Sequence, residues 1–74
     1  MNFIENKAIL IDKLTFSLNH KYDIALKRIL EILLEIETEK ELKKKKDLIN
    51  RIAIDSVEDW KNINLISEFI NQKY

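Results

Sequence analysis

Apolar residues recur along the chain at three- and four-residue intervals, the period of an amphipathic α-helix. The two-residue alternation that hairpins need is missing. Ile4, Ala8, Ile11, Leu14 and Leu18, flanked by Phe3 and Leu10, predict a first helix over roughly residues 3–18. A second is predicted over roughly 21–37. There Tyr22, Ala25, Leu26, Ile29, Leu30, Ile32, Leu33, Leu34 and Ile36 spread over about 200° of a helical wheel. Lys27, Arg28, Glu31 and Glu35 mark its solvent side. An arc that wide touches more than one neighbour, which puts this helix at the centre of the core. Leu42, Leu48, Ile49, Ile52 and Ala53 predict a third helix over roughly 39–54. Trp60, Ile63, Ile66, Ile70 and Tyr74 form the buried stripe of a fourth over roughly 57–73.

The breaks must come from caps, because the chain has no Gly and no Pro. Asn19-His20 is the most loop-like dipeptide, since Asn tolerates the left-handed conformation that ends helices, and the first turn is expected there. Thr38 with Glu41 fits a capping box, in which hydroxyl and carboxylate satisfy orphan backbone donors. If the chain instead ran straight through, the stripe after Thr38 would lie about 130° from the one before it. A rod of about 33 residues would then bare one face unless a second chain covered it. A turn reconciles the two faces. Asp55 or Ser56 is expected to cap the fourth helix, with Glu58 or Asp59 three residues on and well placed against the helix dipole. The sum is an all-α protein: a small antiparallel four-helix bundle in one helical domain over residues 1–74. Two αα-hairpins that complete the bundle as a dimer would satisfy the same pattern.

Composition narrows the function more than it names one. At 74 residues only one small core fits, and thirteen Ile with ten Leu are too many for a disordered segment. Without Gly there is no P-loop, dinucleotide fingerprint or nucleophile elbow; without Cys there is no zinc finger or disulfide scaffold. A cysteine-free chain is expected to be cytoplasmic. Glu5, Lys7, Asp12 and Lys13 break any signal-peptide core, and the longest apolar runs, Ala8–Ile11 and Ile32–Leu34, are far short of the ~20 residues that span a bilayer. No membrane partner is expected.

Candidate chemistry is sparse. His20 stands alone, with Asp23 its nearest acid and no companion His or Cys, so it reads as an exposed or capping residue. Glu31 and Glu35 share a helix face but lack the Glu-x-x-His pairs of a di-iron bundle, and read as solvated acids in weak i, i+4 pairs. No catalytic constellation, cofactor or metal site is expected. Lys43-Lys44-Lys45-Lys46 point over most of a circle, so the run is not one patch. Lys40, Lys43, Lys44 and Arg51 do share the outer face of the third helix, with Asp47 in their midst. They are the candidate surface for phosphate or an acidic partner. Thirteen basic against thirteen acidic residues, and no aromatic between Tyr22 and Trp60, make nucleic acid the less favoured partner.

The apolar excess points elsewhere. With the first stripe fixed, Ile9 and Phe16 fall opposite it, seven residues apart on one line; with the fourth fixed, Leu65 and Phe69 do likewise. Paired exposed apolar residues on the first and last helices predict a second apolar surface. The expected function is a non-enzymatic protein–protein interaction module of the adaptor, anti-activator or immunity-protein kind. It acts through Ile9, Phe16, Leu65 and Phe69 and self-associates, with a dimer the favoured state and another protein the other occupant. A nucleic-acid-associated regulator using the basic face is the alternative.

Overall fold

The computed structural model describes residues 2–72. They form four helices, α1 (Phe3–His20), α2 (Ile24–Glu35), α3 (Glu39–Ser56) and α4 (Trp60–Asn71). A side chain capable of accepting from the first turn sets every start. Asn2 accepts from the Glu5 N–H, Asp23 from Ala25 and Leu26, Thr38 from Glu41, and Asp59 from Lys61. The stops are made without glycine. Lys21, Ile36, Val57 and Gln72 end the helices in extended conformation, and no described residue has a positive φ.

α1 packs against α2 and α4, and α3 against the same two, which closes an up-down-up-down ring with three-residue connections at 21–23, 36–38 and 57–59. The four-helix bundle expected from the periodicity is therefore complete within one chain and not assembled from two hairpins. Its core is one cluster in which Leu14, Leu26, Ile29, Leu33, Ile49 and Ile66 are fully enclosed. All four helices contribute to it, and burial of this apolar area is the main force holding the bundle.

The break at Thr38 forms as expected: the Glu41 N–H donates to Thr38 Oγ1 at 3.2 Å. The carboxylate half of the box is modified, because Glu41 Oε1 accepts from the Thr38 hydroxyl at 3.3 Å. Two boundaries move. Asn19 and His20 lie inside α1, and the turn falls on Lys21, Tyr22 and Asp23, where the Asp23 carboxylate fixes the start of α2. Asp55 and Ser56 belong to α3 and do not cap α4; that role falls to Asp59. Val57 explains the shift: its side chain is buried, so α3 must continue far enough to deliver it to the core.

The buried stripes of α1 and α4 are rotated by about 70–80° from those the apolar residues alone suggest. In α1 the buried residues are Phe3, Leu10 and Leu14, while Ile4 and Ala8 are exposed. In α4 they are Asn62, Ile66, Phe69 and Ile70, and Trp60 is 65% exposed. Tyr74 and the last predicted helical position lie outside the described residues. α2 and α3 keep their expected cores, Ala25, Leu26, Ile29 and Leu33 in one and Leu42, Ile49 and Ala53 in the other. Tyr22, Leu34 and Leu48 stand exposed.

Candidate interaction surface

The seam between α1 and α4 carries buried polar groups. Asn62 is buried in the first turns of α4, and its Oδ1 accepts from Ser17 Oγ at 3.0 Å. Asn6, at the end of the first turn of α1, holds its Nδ2 buried with no hydrogen-bond partner among the described residues. These polar groups occupy wheel positions that a hydrophobicity pattern assigns to the surface. Admitting them to the interior turns α1 and α4 about their axes and decides which apolar residues face out.

Ile9 and Phe16 face out, as the pattern predicted: they are 40% and 65% exposed. Leu65 is half-buried, packed against the edge of the core. Phe69 is a correction. It is 4% exposed, with its ring centroid 5.8 Å from that of Phe3, and belongs to the chain's own core. The rotation of α4 that buries Asn62 carries Phe69 inward with it, because the two lie seven residues apart on one line. Phe69 supports the surface from below and is unavailable to a partner.

The structure brings the remaining three together. A depression of about 380 Å³ on the α1/α4 seam is lined by Phe16, Ser17, Lys13, Asp12, Lys61 and Leu65. A second of about 160 Å³, lined among others by Ile9, Lys13, Leu65, Glu68 and the edge of Phe69, continues it. Lys13 and Leu65 border both, so the two form one groove along the seam. The Phe16 ring also packs on the His20 imidazole at 4.3 Å between centroids, while His20 Nδ1 lies 3.1 Å from the Phe16 carbonyl. His20 borders an adjoining depression together with Phe16, Ser17 and Asn62.

The basic residues form a separate strip. Lys40, Lys43, Lys44 and Arg51 are all exposed on the outer side of α3, with Asp47 exposed among them, and none makes an ion pair with a described residue. Within the lysine run, Lys45 is exposed and Lys46 half-buried. A cavity of about 410 Å³ between α2 and α3 is bordered by Arg28, Glu31, Glu35, Glu41, Lys44 and Leu48. Charges of both signs line it. No group of three or more His, Asp or Glu among the described residues could hold a metal ion, and no described helix is long and apolar enough to cross a membrane.

Sequence reasoning missed two features. One is a set of exposed apolar residues, Tyr22, Ile24, Ile54 and Trp60, at the end of the bundle that carries the 21–23 and 57–59 connections. Trp60 follows its cap directly, and the first position of a helix has few neighbours to bury it, which is a signal the sequence did contain. The other is the tie between those connections. Asp23 Oδ2 accepts from the Glu58 N–H at 3.1 Å, and Lys21 Nζ lies 3.0 Å from Glu58 Oε2. The hydrogen bond to Glu58, followed by its charge, raises the Lys21 ammonium above its ordinary value.

Compared with known proteins, the chain matches no family model, no curated protein and no solved structure. The geometry of its surface is the ground on which function must be argued.

Proposed function

We propose that this chain is a non-enzymatic protein–protein interaction module whose docking surface is the α1/α4 seam, built around Ile9, Phe16 and Leu65. The observation that carries the reading is Phe16. A phenylalanine 65% exposed beside a groove, with Ile9 on the same helix line, is apolar surface the bundle has left uncovered despite a filled core. Aromatic residues beside a half-buried apolar floor are the composition of interface centres. Self-association is the first use of such a face, since symmetric dimers are the commonest oligomers. Sedimentation equilibrium between about 1 and 200 μM tests it, with wild type compared against Phe16→Lys. A lysine near the C-terminal end of α1 suits the helix dipole, so the fold is kept. Mass should rise with concentration in the wild type and not in the variant, at equal helix content by circular dichroism. Equal association of both would refute the assignment of the face.

A second reading uses the α3 strip, and the observation favouring it is that its four cations are exposed and free of described acidic partners. An anionic partner, nucleic acid included, would then bind in a strongly salt-dependent way. Retention of a labelled duplex at about 50 mM salt, lost in Lys43→Glu with Lys44→Glu, would support it. No shift at that salt would dispose of it.

A further inference from the structure

The α1/α4 face is self-complementary. At one end of the groove Phe16 of α1 lies beside Lys61 of α4; at the other Ile9 lies beside Glu68; Leu65 and Lys13 border both halves. In each helix the two outer residues are seven positions apart, so they project within about 20° of one another and about 10 Å apart along the axis. A half-turn about a line crossing the middle of the groove exchanges the two ends. It sets apolar on apolar and cation on anion.

We propose that the occupant of this face is a second copy of the chain, docked antiparallel about a two-fold axis that crosses α1 between Asp12 and Lys13 and α4 between Asn64 and Leu65. Phe16 of each copy then packs on the partner's Ile9, and Lys61 of each copy sits over the partner's Glu68. The two Leu65 side chains meet next to the axis. Asp12 and Lys13 straddle it, and the four charges they bring together sum to zero. This inference rests on the reading of the face as a docking surface and adds the occupant and its register.

The alternative two-fold axis, parallel to the helices, sets α1 on the partner's α4. It would press Ile9 onto the other copy's Glu68 and Phe16 onto its Lys61, desolvating charges against apolar groups with nothing to compensate them. Pairing like helix with like helix avoids that cost. The size of the contact bears on whether the dimer is obligate. A face about 30 Å long and about 20 Å wide offers on the order of 600 Å² per copy, under the ~800 Å² of a standard interface. A contact of that size fits a reversible dimer better than an obligate one. The α3 strip lies off this face, because α3 neighbours α2 and α4 and not α1. It stays open in the dimer.

A charge exchange on the full chain tests the register. Lys61→Glu and Glu68→Lys each place like charges opposite one another twice per dimer, and each should weaken dimerisation about tenfold by sedimentation velocity. The double variant K61E/E68K restores opposite charges in reversed order and should return to within about threefold of wild type. Folding is not at risk: an acid near the start of α4 and a base near its end both suit the helix dipole. A double variant no tighter than the singles overturns the proposal. If Phe16→Lys abolishes association while the charge variants leave it unchanged, the face is an interface but this register is wrong. A wild type that stays monomeric to about 200 μM overturns both the copy as occupant and the self-association on which it rests.

Discussion

Asp23 joins two of the bundle's connections through hydrogen bonds to backbone, and its removal has a calculable cost. Its Oδ1 accepts from the Ala25 and Leu26 N–H groups at 3.0 and 3.3 Å, capping α2. Its Oδ2 accepts from the Glu58 N–H at 3.1 Å, holding the 57–59 connection against the 21–23 connection. Replacing an N-cap Asp by Ala costs about 1 kcal/mol. Losing the second bond, part-exposed but to a charged acceptor, costs about 1 kcal/mol more. For 74 residues a stability on the order of 4–11 kcal/mol is expected, so Asp23→Ala should remove about 2 kcal/mol of it and lower the melting midpoint by about 10–15 °C. Asp23→Asn separates the two parts. Asparagine caps as well as aspartate, but its amide has one oxygen, so it cannot serve both α2 and Glu58. Urea unfolding followed at 222 nm should place Asn about midway between wild type and Ala. A loss below about 0.5 kcal/mol for Ala would refute the cap assignment. An Asn variant as stable as wild type would refute the contribution of the bond to Glu58.

Three further predictions follow from the interior and the surface ion pair. Phe69→Ala should cost about 3–5 kcal/mol and leave the bundle partly unfolded at 25 °C, whereas the exposed Phe16→Ala should fall within about 0.5 kcal/mol of wild type; the same urea titration compares them. Ser17→Ala strands the buried Asn62 oxygen and should cost about 1–3 kcal/mol, while the double variant with Asn62→Leu should recover most of that loss by removing both polar partners. Lys21, raised by Glu58 above 10.5, contributes stability that is complete below that value and is lost as pH climbs through its folded value. Unfolding midpoints at about pH 8 and pH 11 should therefore fall further in wild type than in Lys21→Gln, and equal falls would remove the pair from the account.

The helices and their number were legible in the sequence because periodicity survives averaging over a dozen residues. Thr38 was legible as a break because a stripe that jumps by about 130° cannot be buried on one straight helix. The rotation of α1 and α4 was not. It depends on a hydrogen bond between Ser17 and Asn62, forty-five positions apart, and an apolar pattern scores both residues as surface. The exposure of Ile9 and Phe16 was legible because their displacement from the buried arc exceeded the error in that arc. Phe69 sat nearer the boundary, and a turn of about 70° carried it inside. The turn at 21–23 was hidden for a related reason. Asn19 resembles a left-handed stop, but the stop is made by Asp23, whose second oxygen answers to Glu58 thirty-five residues away.

The α1/α4 seam inverts the usual placement of polarity, with Asn6, Ser17 and Asn62 toward the interior and Ile9 and Phe16 toward solvent. A buried Asn–Ser bond contributes modestly to net stability, and the unpartnered Asn6 amide detracts from it. The Ser17–Asn62 bond favours the rotation and axial setting of α1 against α4 that keep it made, a constraint that apolar side chains would not impose. That setting places Phe16 level with Lys61 and Ile9 level with Glu68, the alignment on which self-complementarity depends. The double variant Ser17→Ala with Asn62→Leu is then expected to keep the bundle folded while weakening association, because the seam would no longer hold the two halves of the face in register. Unchanged dimerisation in that variant would show that the polar pair plays no part in setting the face.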